Sequence, residues 1–417
     1  MTKKLAIIGA GAAGMFCLAN IIEQENFSEF DITIFEALKE PLQKLLATGG
    51  GRCNLTNNIK DNKILSSQYL RGEKFLYSIF NQFNAQDTIH WFEQHDIKTY
   101  TDDQGCVFPG TDKAQTIKNL LFHYTRKNNV TLKTFCCVEK ILFHDHKFTL
   151  ETKTGSETFD YILLSTGGKF SIKKNITIIN GYNLALSLGH TITGLYPGLT
   201  SLKSDKTGLS NLSGITLENT KVTLYSENKK LAQKQGDLLF THKGLSGPVI
   251  LDLSSMAACI VDGKYNKVSI SLNFSNAKNP ETFDKELIQI FMDNKNKAIL
   301  TLITRYCPRN LAGFILEDIN IDPEKKANSI TKTERKHIAN ALTDYRISIS
   351  GADTASAMVT AGGVNLKEVD SRSLESKLRP GLFFAGEILD VDGFCGGYNL
   401  QFAWSSGYIV ARTLGKK

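Results

Sequence analysis

Leu5-Ala6-Ile7-Ile8-Gly9-Ala10-Gly11-Ala12-Ala13-Gly14 decides the fold of this 417-residue chain. Four apolar residues form a short buried strand, and three glycines follow at the spacing G-x-G-x-x-G. Gly9 suits a tight turn, Gly11 lets backbone approach a pyrophosphate, and Gly14 lets a helix press on the strand. The helix expected from Ala12 to about Gln24 aims its unpaired N–H groups and positive dipole end at that phosphate. Asp31-Ile32-Thr33-Ile34-Phe35-Glu36 then alternates as a second parallel strand, with Glu36 at its end. A carboxylate there accepts hydrogen bonds from adenosine ribose hydroxyls, and its charge disfavours a 2′-phosphate. A lone G-x-G-x-x-G is weak, but strand, turn, helix, strand and acid in register specify a dinucleotide site. Ala10 and Ala13 belong to its first turn and Ala37 to its second.

A matching half stands near the other end of the chain. Leu382 to Ala385 is a continuous apolar strand, and Gly386-Glu387 places a carboxylate at its carboxyl end, where ligands sit in open α/β sheets. After the loop 390–395, Gly396-Gly397 opens a helix running to about Leu414. The free N–H groups of its first residues, Tyr398, Asn399 and Leu400, suit the O2 and N1 edge of a flavin, where reduction places negative charge. Glu387 suits ribityl hydroxyls. Two half-sites at opposite ends of one chain are the habit of FAD-binding proteins, so FAD is the expected cofactor. It is expected to be noncovalent, because no His or Cys sits in an evident flavin-linking motif. In between, Thr131 to Val138 reads as a strand whose Val138 backbone faces the adenine, with an ordinary core strand as the alternative. Tyr161 to Leu164 reads as a buried strand closing on the turn Thr166-Gly167-Gly168.

Composition permits this reading. Apolar residues at 41% and charged residues at 22% describe a globular protein and exclude fibrous, low-complexity and disordered classes. Eight cysteines are scattered without a CxxC pair, and His144-Asp145-His146 has no matching ligands, so neither a disulfide framework nor a metal centre is expected. Lys3-Lys4 before an apolar stretch could open a signal peptide, but dinucleotide-spaced glycines interrupt it and no cleavage site follows. A cytoplasmic protein without a membrane segment is expected. The chain divides into 1–190, first part of the FAD domain; 191–275, an antiparallel β insert; and 276–342, a helical insert. The residues 343–357 form a return strand of the β insert, and 358–417 complete the FAD domain. No second G-x-G-x-x-G follows a strand, so no dedicated NAD(P)H domain is expected. Electrons must come from a transiently docked NAD(P)H or from the substrate.

Four further stretches carry a resemblance: 44–57 (KLLATGGGRCNLTN), 236–248 (GDLLFTHKGLSGP), 359–364 (VTAGGV) and 386–407, from GEILDVDG into GGYNLQFAWSSG. In this order they resemble the BaiN/RdsA-type FAD-dependent oxidoreductases, also described as aminoacetone-oxidase-like. The resemblance spans essentially the whole chain. It implies an α/β protein: a glutathione-reductase-like Rossmann FAD domain with an inserted antiparallel β-barrel-like domain and a small helical domain. It also places Glu36, Lys44, Val138, Glu387 and the Asn399 region at FAD, together with Gly51, Arg52 and Asn54 of the glycine-rich run. Cys106 stands where family members carry a basic residue before Val107-Phe108-Pro109, which puts an anion contact there in doubt.

Activities in this family include reducing a uracil of large-subunit ribosomal RNA to dihydrouridine, reducing conjugated enones of steroid acids, and oxidising small amines. The first two share hydride transfer to the β-carbon of an α,β-unsaturated carbonyl, with an acid protonating the α-carbon. Cys53 in the glycine-rich run, Cys395 before Gly396, and His242 with Ser246 are the candidate acids. A packing role is the alternative for each cysteine, and a structural hydrogen bond is the alternative for His242. Between Lys295 and Asn340, nine Lys or Arg face five acids, more than half of the net +7 of the chain. The helical insert is thus a candidate RNA-backbone surface, or else a solvated basic face. Uracil reduction in ribosomal RNA is the favoured expectation. Small-molecule turnover is the alternative, and a non-catalytic flavin-fold scaffold is an alternative of another class.

Overall fold

The computed structural model describes residues 2–170, 181–227, 229–260 and 267–417, without the side chains of residues 259 and 260. The chain forms two compact units, one of Met1–Pro197 with Ala355–Lys417 and the other of Gly198–Thr354. Each has its own apolar core.

The first unit is built on a five-stranded sheet: β1 (Lys3–Ile8), β2 (Phe30–Phe35), β3 (Val130–Lys133), β4 (Tyr161–Leu164) and β5 (Leu382–Phe384), in the spatial order β5-β4-β1-β2-β3. Every pairing is parallel, and Phe383, Leu163, Ile7, Ile34 and Leu132 fall in one row across it. Near-continuous apolar strands are what a sheet covered on both faces requires. Helix α1 (Ala12–Ile22) follows β1, and helix α2 (Tyr398–Leu414) follows β5. The two helices touch where Gly407 lies, since a Cβ there would stand 2.5 Å from the Ala13 carbonyl oxygen. Both helices therefore begin at the carboxyl ends of the strands, where this architecture binds ligands.

The expected strand from Thr131 to Val138 is two strands. Phe135 adopts φ +51°, a left-handed conformation that ends β3 and turns the chain away. Val138 then opens an antiparallel three-stranded sheet of Val138–His144, Lys147–Thr152 and Gly155–Phe159.

The second unit holds a seven-stranded antiparallel sheet in the order Tyr345–Ile349, Val268–Asn273, Thr216–Ser226, Lys229–Thr241, Gly244–Ser246, Leu202–Lys203, Gly351–Ala352. The single run 345–352 supplies both edges, so the sheet must curl. Two features differ from the sequence reading. Residues 191–275 are not β throughout, because Pro248–Ile260 is a helix. It opens on proline, which fits a first helical position where no N–H is needed. The helices from Pro280 to Thr343 share one apolar core with the strands, Phe283, Leu311 and Ile338 packing in the same cluster as Val222 and Ile270.

Candidate functional site

At the mouth of β1 the three glycines do three different things. Gly9 sits at φ +102°, and a Cβ there would lie 2.5 Å from the Ser165 carbonyl oxygen. Gly14 presses helix onto strand so closely that a Cβ would strike the Gly9 carbonyl. Gly11 is the opposite case, since a Cβ would meet nothing within 4 Å. It caps α1 with no side chain spent on the first N–H groups and no acid in the first turn. That is a bare, positive helix end open to an anion.

Glu36 ties this turn to the next. Its carboxylate accepts from Ala10 N–H (2.9 Å) and Leu38 N–H (2.9 Å). Burial pushes its pKa above the ordinary range, against the pull of backbone N–H groups of Leu38, Ala10 and Ala37. The Glu36 carbonyl accepts from Cys136 N–H (2.9 Å), which draws the stretch leading to buried Val138 alongside.

The two ends of the chain meet directly. The Lys44 ammonium pairs with the Glu387 carboxylate, whose other oxygen accepts from Thr360 N–H (2.8 Å). Thr166 Oγ1 is buried with no partner among the described residues, and beside it Gly167 (φ +73°) leaves the space of a Cβ empty. The run Gly49, Gly50, Gly51 and Cys53 is entirely left-handed, φ +56° to +93°, and Arg52 lies over the Phe108 ring at 4.1 Å. With its amide turned so that both ends find partners, Asn54 donates to the Thr56 carbonyl (2.8 Å) and accepts from Gly397 N–H (3.2 Å). Trp404 of α2 donates to the Leu55 carbonyl (2.9 Å), and Thr56 donates to Gln401 (2.6 Å). The glycine-rich run and α2 are therefore one construction. Gly397 (φ +88°) caps α2 and has no side chain of its own to spend on the first N–H groups. Asn399 spends its side chain on both backbone groups of Gly393 (2.9 Å each), so it offers a ligand only its N–H. Gly386 N–H donates to Ser406 of α2 (2.9 Å). Tyr398 is buried and Leu400 half-buried at the start of α2.

The candidate acids differ in exposure. Cys53 is 0% exposed within the apolar core, and burial pushes its thiol up to about 12, the Thr48 hydroxyl pulling the other way. Cys395 is half-buried immediately before Gly396. His242 is exposed in the turn between Lys229–Thr241 and Gly244–Ser246 of the second unit. Sequence reasoning missed Ser165, Thr360, Arg71 and Asp392. Arg71, half-buried, pairs with half-buried Asp390 and approaches buried Asp392, and the sequence signal for this cluster is the Asp-Val-Asp-Gly phrase before the glycine turn. No group of three metal-ligating side chains occurs among the described residues, and none of their helices is long and apolar enough to cross a membrane.

An FAD molecule fits what these residues leave open: the N-terminus of α1, the open edge at Gly11, the Thr166 hydroxyl, which has no partner among the described residues, and the glycine-capped start of α2. Fold and site together define a Rossmann-type flavoprotein. The HI0933-like protein Rossmann domain model matches residues 3–413, and the chain belongs to that family of FAD-dependent oxidoreductases. It is 30% identical to the ribosomal RNA dihydrouridine synthase of Escherichia coli, over 98% of this chain and 97% of that one. It is 29% identical to the 3-dehydro-bile acid delta(4,6)-reductase of Clostridium scindens over the whole of both. Among solved structures, the quinol fumarate reductase FrdA of E. coli superposes with a TM-score of 0.52 at 14% identity, covering all of this chain and 70% of that one, a likeness of fold.

Proposed function

We propose that this chain is a reductase of conjugated carbonyl compounds, with a uracil of large-subunit ribosomal RNA as its favoured substrate. The observation that carries the reading is the pair of full-length relatives. A dihydrouridine synthase and a bile acid delta(4,6)-reductase act on different molecules, yet both names describe saturation of a C=C bond conjugated to a carbonyl. A second reading, a small-molecule enone reductase, is favoured by the full coverage of the bile acid relative.

When bound, FAD supplies hydride, itself replenished by transiently docked NAD(P)H. The chain's own residues hold and orient it. The α1 N-terminus with Gly9, Gly11 and Gly14 takes the pyrophosphate, Glu36 the ribose, and the Val138 backbone the adenine. Lys44, Thr166 and Glu387 take the ribityl and phosphate region, and the N–H groups after Gly397 take the electron-accepting edge. Cys53 is the donor preferred on sequence grounds, but it is fully buried, so Cys395 is favoured instead, because a donor must reach substrate. The antiparallel insert is read as barrel-like, and the cytoplasm as the place of action.

RNA contact is supported by charge that remains unspent. Lys325 pairs with Glu334 (2.7 Å) and Arg335 with Asp284 (2.8 Å), which removes two cations from the basic stretch. Lys295, Lys297 and Lys326 stay exposed, brought together because 295–299 hydrogen-bonds to 325–328. Dihydrouridine mapping of ribosomal RNA from a deletion strain tests the reading, with loss of one modified uridine expected. An unchanged map moves the enone reading ahead. Anaerobic mixing with NADH or NADPH separates both enzymes from a scaffold, whose flavin would stay oxidised.

A further inference from the structure

Three carboxylates, Glu387, Asp390 and Asp392, crowd the loop leading to Gly396 and Gly397, and two cations answer them. Lys44 pairs with Glu387, and Arg71 Nη1 lies 2.9 Å from Asp390. Asp392 has only the longer approach of the same arginine. Its side chain is 0% exposed, neither carboxylate oxygen has a hydrogen-bond partner among the described residues, and Arg71 Nε stands 3.7 Å away. The backbone on either side is fixed, so the group cannot swing out. Leu70 N–H donates to the Asp392 carbonyl (3.0 Å), Phe394 N–H to the Gln68 carbonyl (3.0 Å), and Gly393 N–H to Asn399 (2.9 Å). Paired with Arg71 only at 3.7 Å and without a hydrogen bond among the described residues, an ionised Asp392 carries a far larger desolvation cost than the neutral acid.

We propose that Asp392 is a positioning residue carried as the neutral acid, and that its proton holds the 390–395 loop in the form that presents the α2 N-terminus to the cofactor. The inference rests on the reading of Gly396-Gly397 as the flavin turn. Desolvation raises its pKa to about 7, Arg71 opposing and Asp390 and Glu387 reinforcing. Two hydroxyls along this loop are already spent, Tyr69, whose backbone pairs with Gly393, donating to the Tyr398 carbonyl (2.6 Å) and Tyr182 to the Glu387 carbonyl (3.5 Å). Ionisation would put a second negative charge beside one arginine and push the loop apart.

The sign follows. An acid whose folded pKa is raised contributes stability that is complete below its unfolded value of 3.8 and is lost as pH rises through about 7. FAD affinity of the full chain, read by flavin fluorescence from pH 6 to 9, should weaken by up to about tenfold per pH unit above 7. Asp392→Asn, an uncharged isostere, should bind FAD at pH 6 as the wild type does and show a flat profile. A flat wild-type profile, or an Asn variant that follows the wild-type slope, overturns the proposal. Infrared spectra of protein carrying carboxyl-labelled aspartate give an arm independent of FAD and of the variant. A protonated aspartate band present at pH 6 and gone by pH 9 is expected, and its absence at pH 6 overturns the proposal. A chain that takes up FAD at no pH refutes the flavin-turn reading, and the infrared arm still decides Asp392.

Discussion

Cys395 and Cys53 lie on loops that the site joins, but they differ in burial. Cys53 is sealed in the core with its thiol held far above neutrality, so it stays protonated and out of reach. Cys395 is half-buried beside the glycine turn. Cys395→Ala should slow product formation by about 10²–10⁴-fold, the usual worth of a positioned acid, while leaving reduction of the flavin by NAD(P)H unchanged in stopped-flow traces. Cys53→Ala should turn over normally and lose about 0.5–3 kcal/mol of stability in urea. Normal turnover by the Cys395 variant would remove it from the mechanism. Glu36 and Glu387 stand out in the sequence because each puts a carboxylate at a strand end, whereas Lys44 is expected only from the family resemblance; the structure pairs Lys44 with Glu387. Asp392 does not stand out. Asp-Val-Asp-Gly reads as a polar turn, and its burial depends on Arg71, a residue far away in sequence.

Elements close the site by meeting across the length of the chain. The Lys44–Glu387 pair joins the glycine-rich run to the end of β5, and Trp404 and Gln401 of α2 hold the same run from behind. The pair is part-buried, so its coupling should exceed that of a fully exposed one. A double-mutant cycle with Lys44→Met and Glu387→Gln, followed by urea unfolding, should give about 0.5–1.5 kcal/mol. Additive effects within error would show that the pair is not formed in solution. The parallel strands and both cofactor helices were legible from apolar runs and glycine spacing, which are local signals. The break at Phe135 was not, because no property of phenylalanine favours a left-handed backbone and the turn is fixed by its bond to Leu38 (3.1 Å). Helix Pro248–Ile260 was hidden for a different reason. An apolar run buried on most sides has no amphipathic period to separate it from a strand.

Everything assigned to FAD lies in the first unit, which has its own core, while the exposed lysines 295, 297 and 326 lie in the second. The second unit also returns to where it starts, for Asp353 N–H donates to the Ser201 carbonyl (2.8 Å) and Thr200 Oγ1 to the Asp353 carbonyl (2.5 Å). Residues 202–352 can therefore be replaced by a short glycine-rich turn without stretching the chain on either side. The shortened protein should fold, turn yellow on adding FAD, and gain about 2.7 kcal/mol of stability at a hundredfold excess over its dissociation constant. It should lose the salt-dependent component of ribosomal RNA binding, which counterion release ties to the number of phosphate contacts. Replacing only Lys295, Lys297 and Lys326 by Glu in the full chain should lower the slope of log affinity against log salt while FAD binding stays intact. If the shortened protein folds but stays colourless, residues of the second unit are needed to hold the cofactor, and the division of labour fails. If RNA affinity survives both changes, the basic stretch is a solvated face, and the substrate reading must rest on the first unit alone.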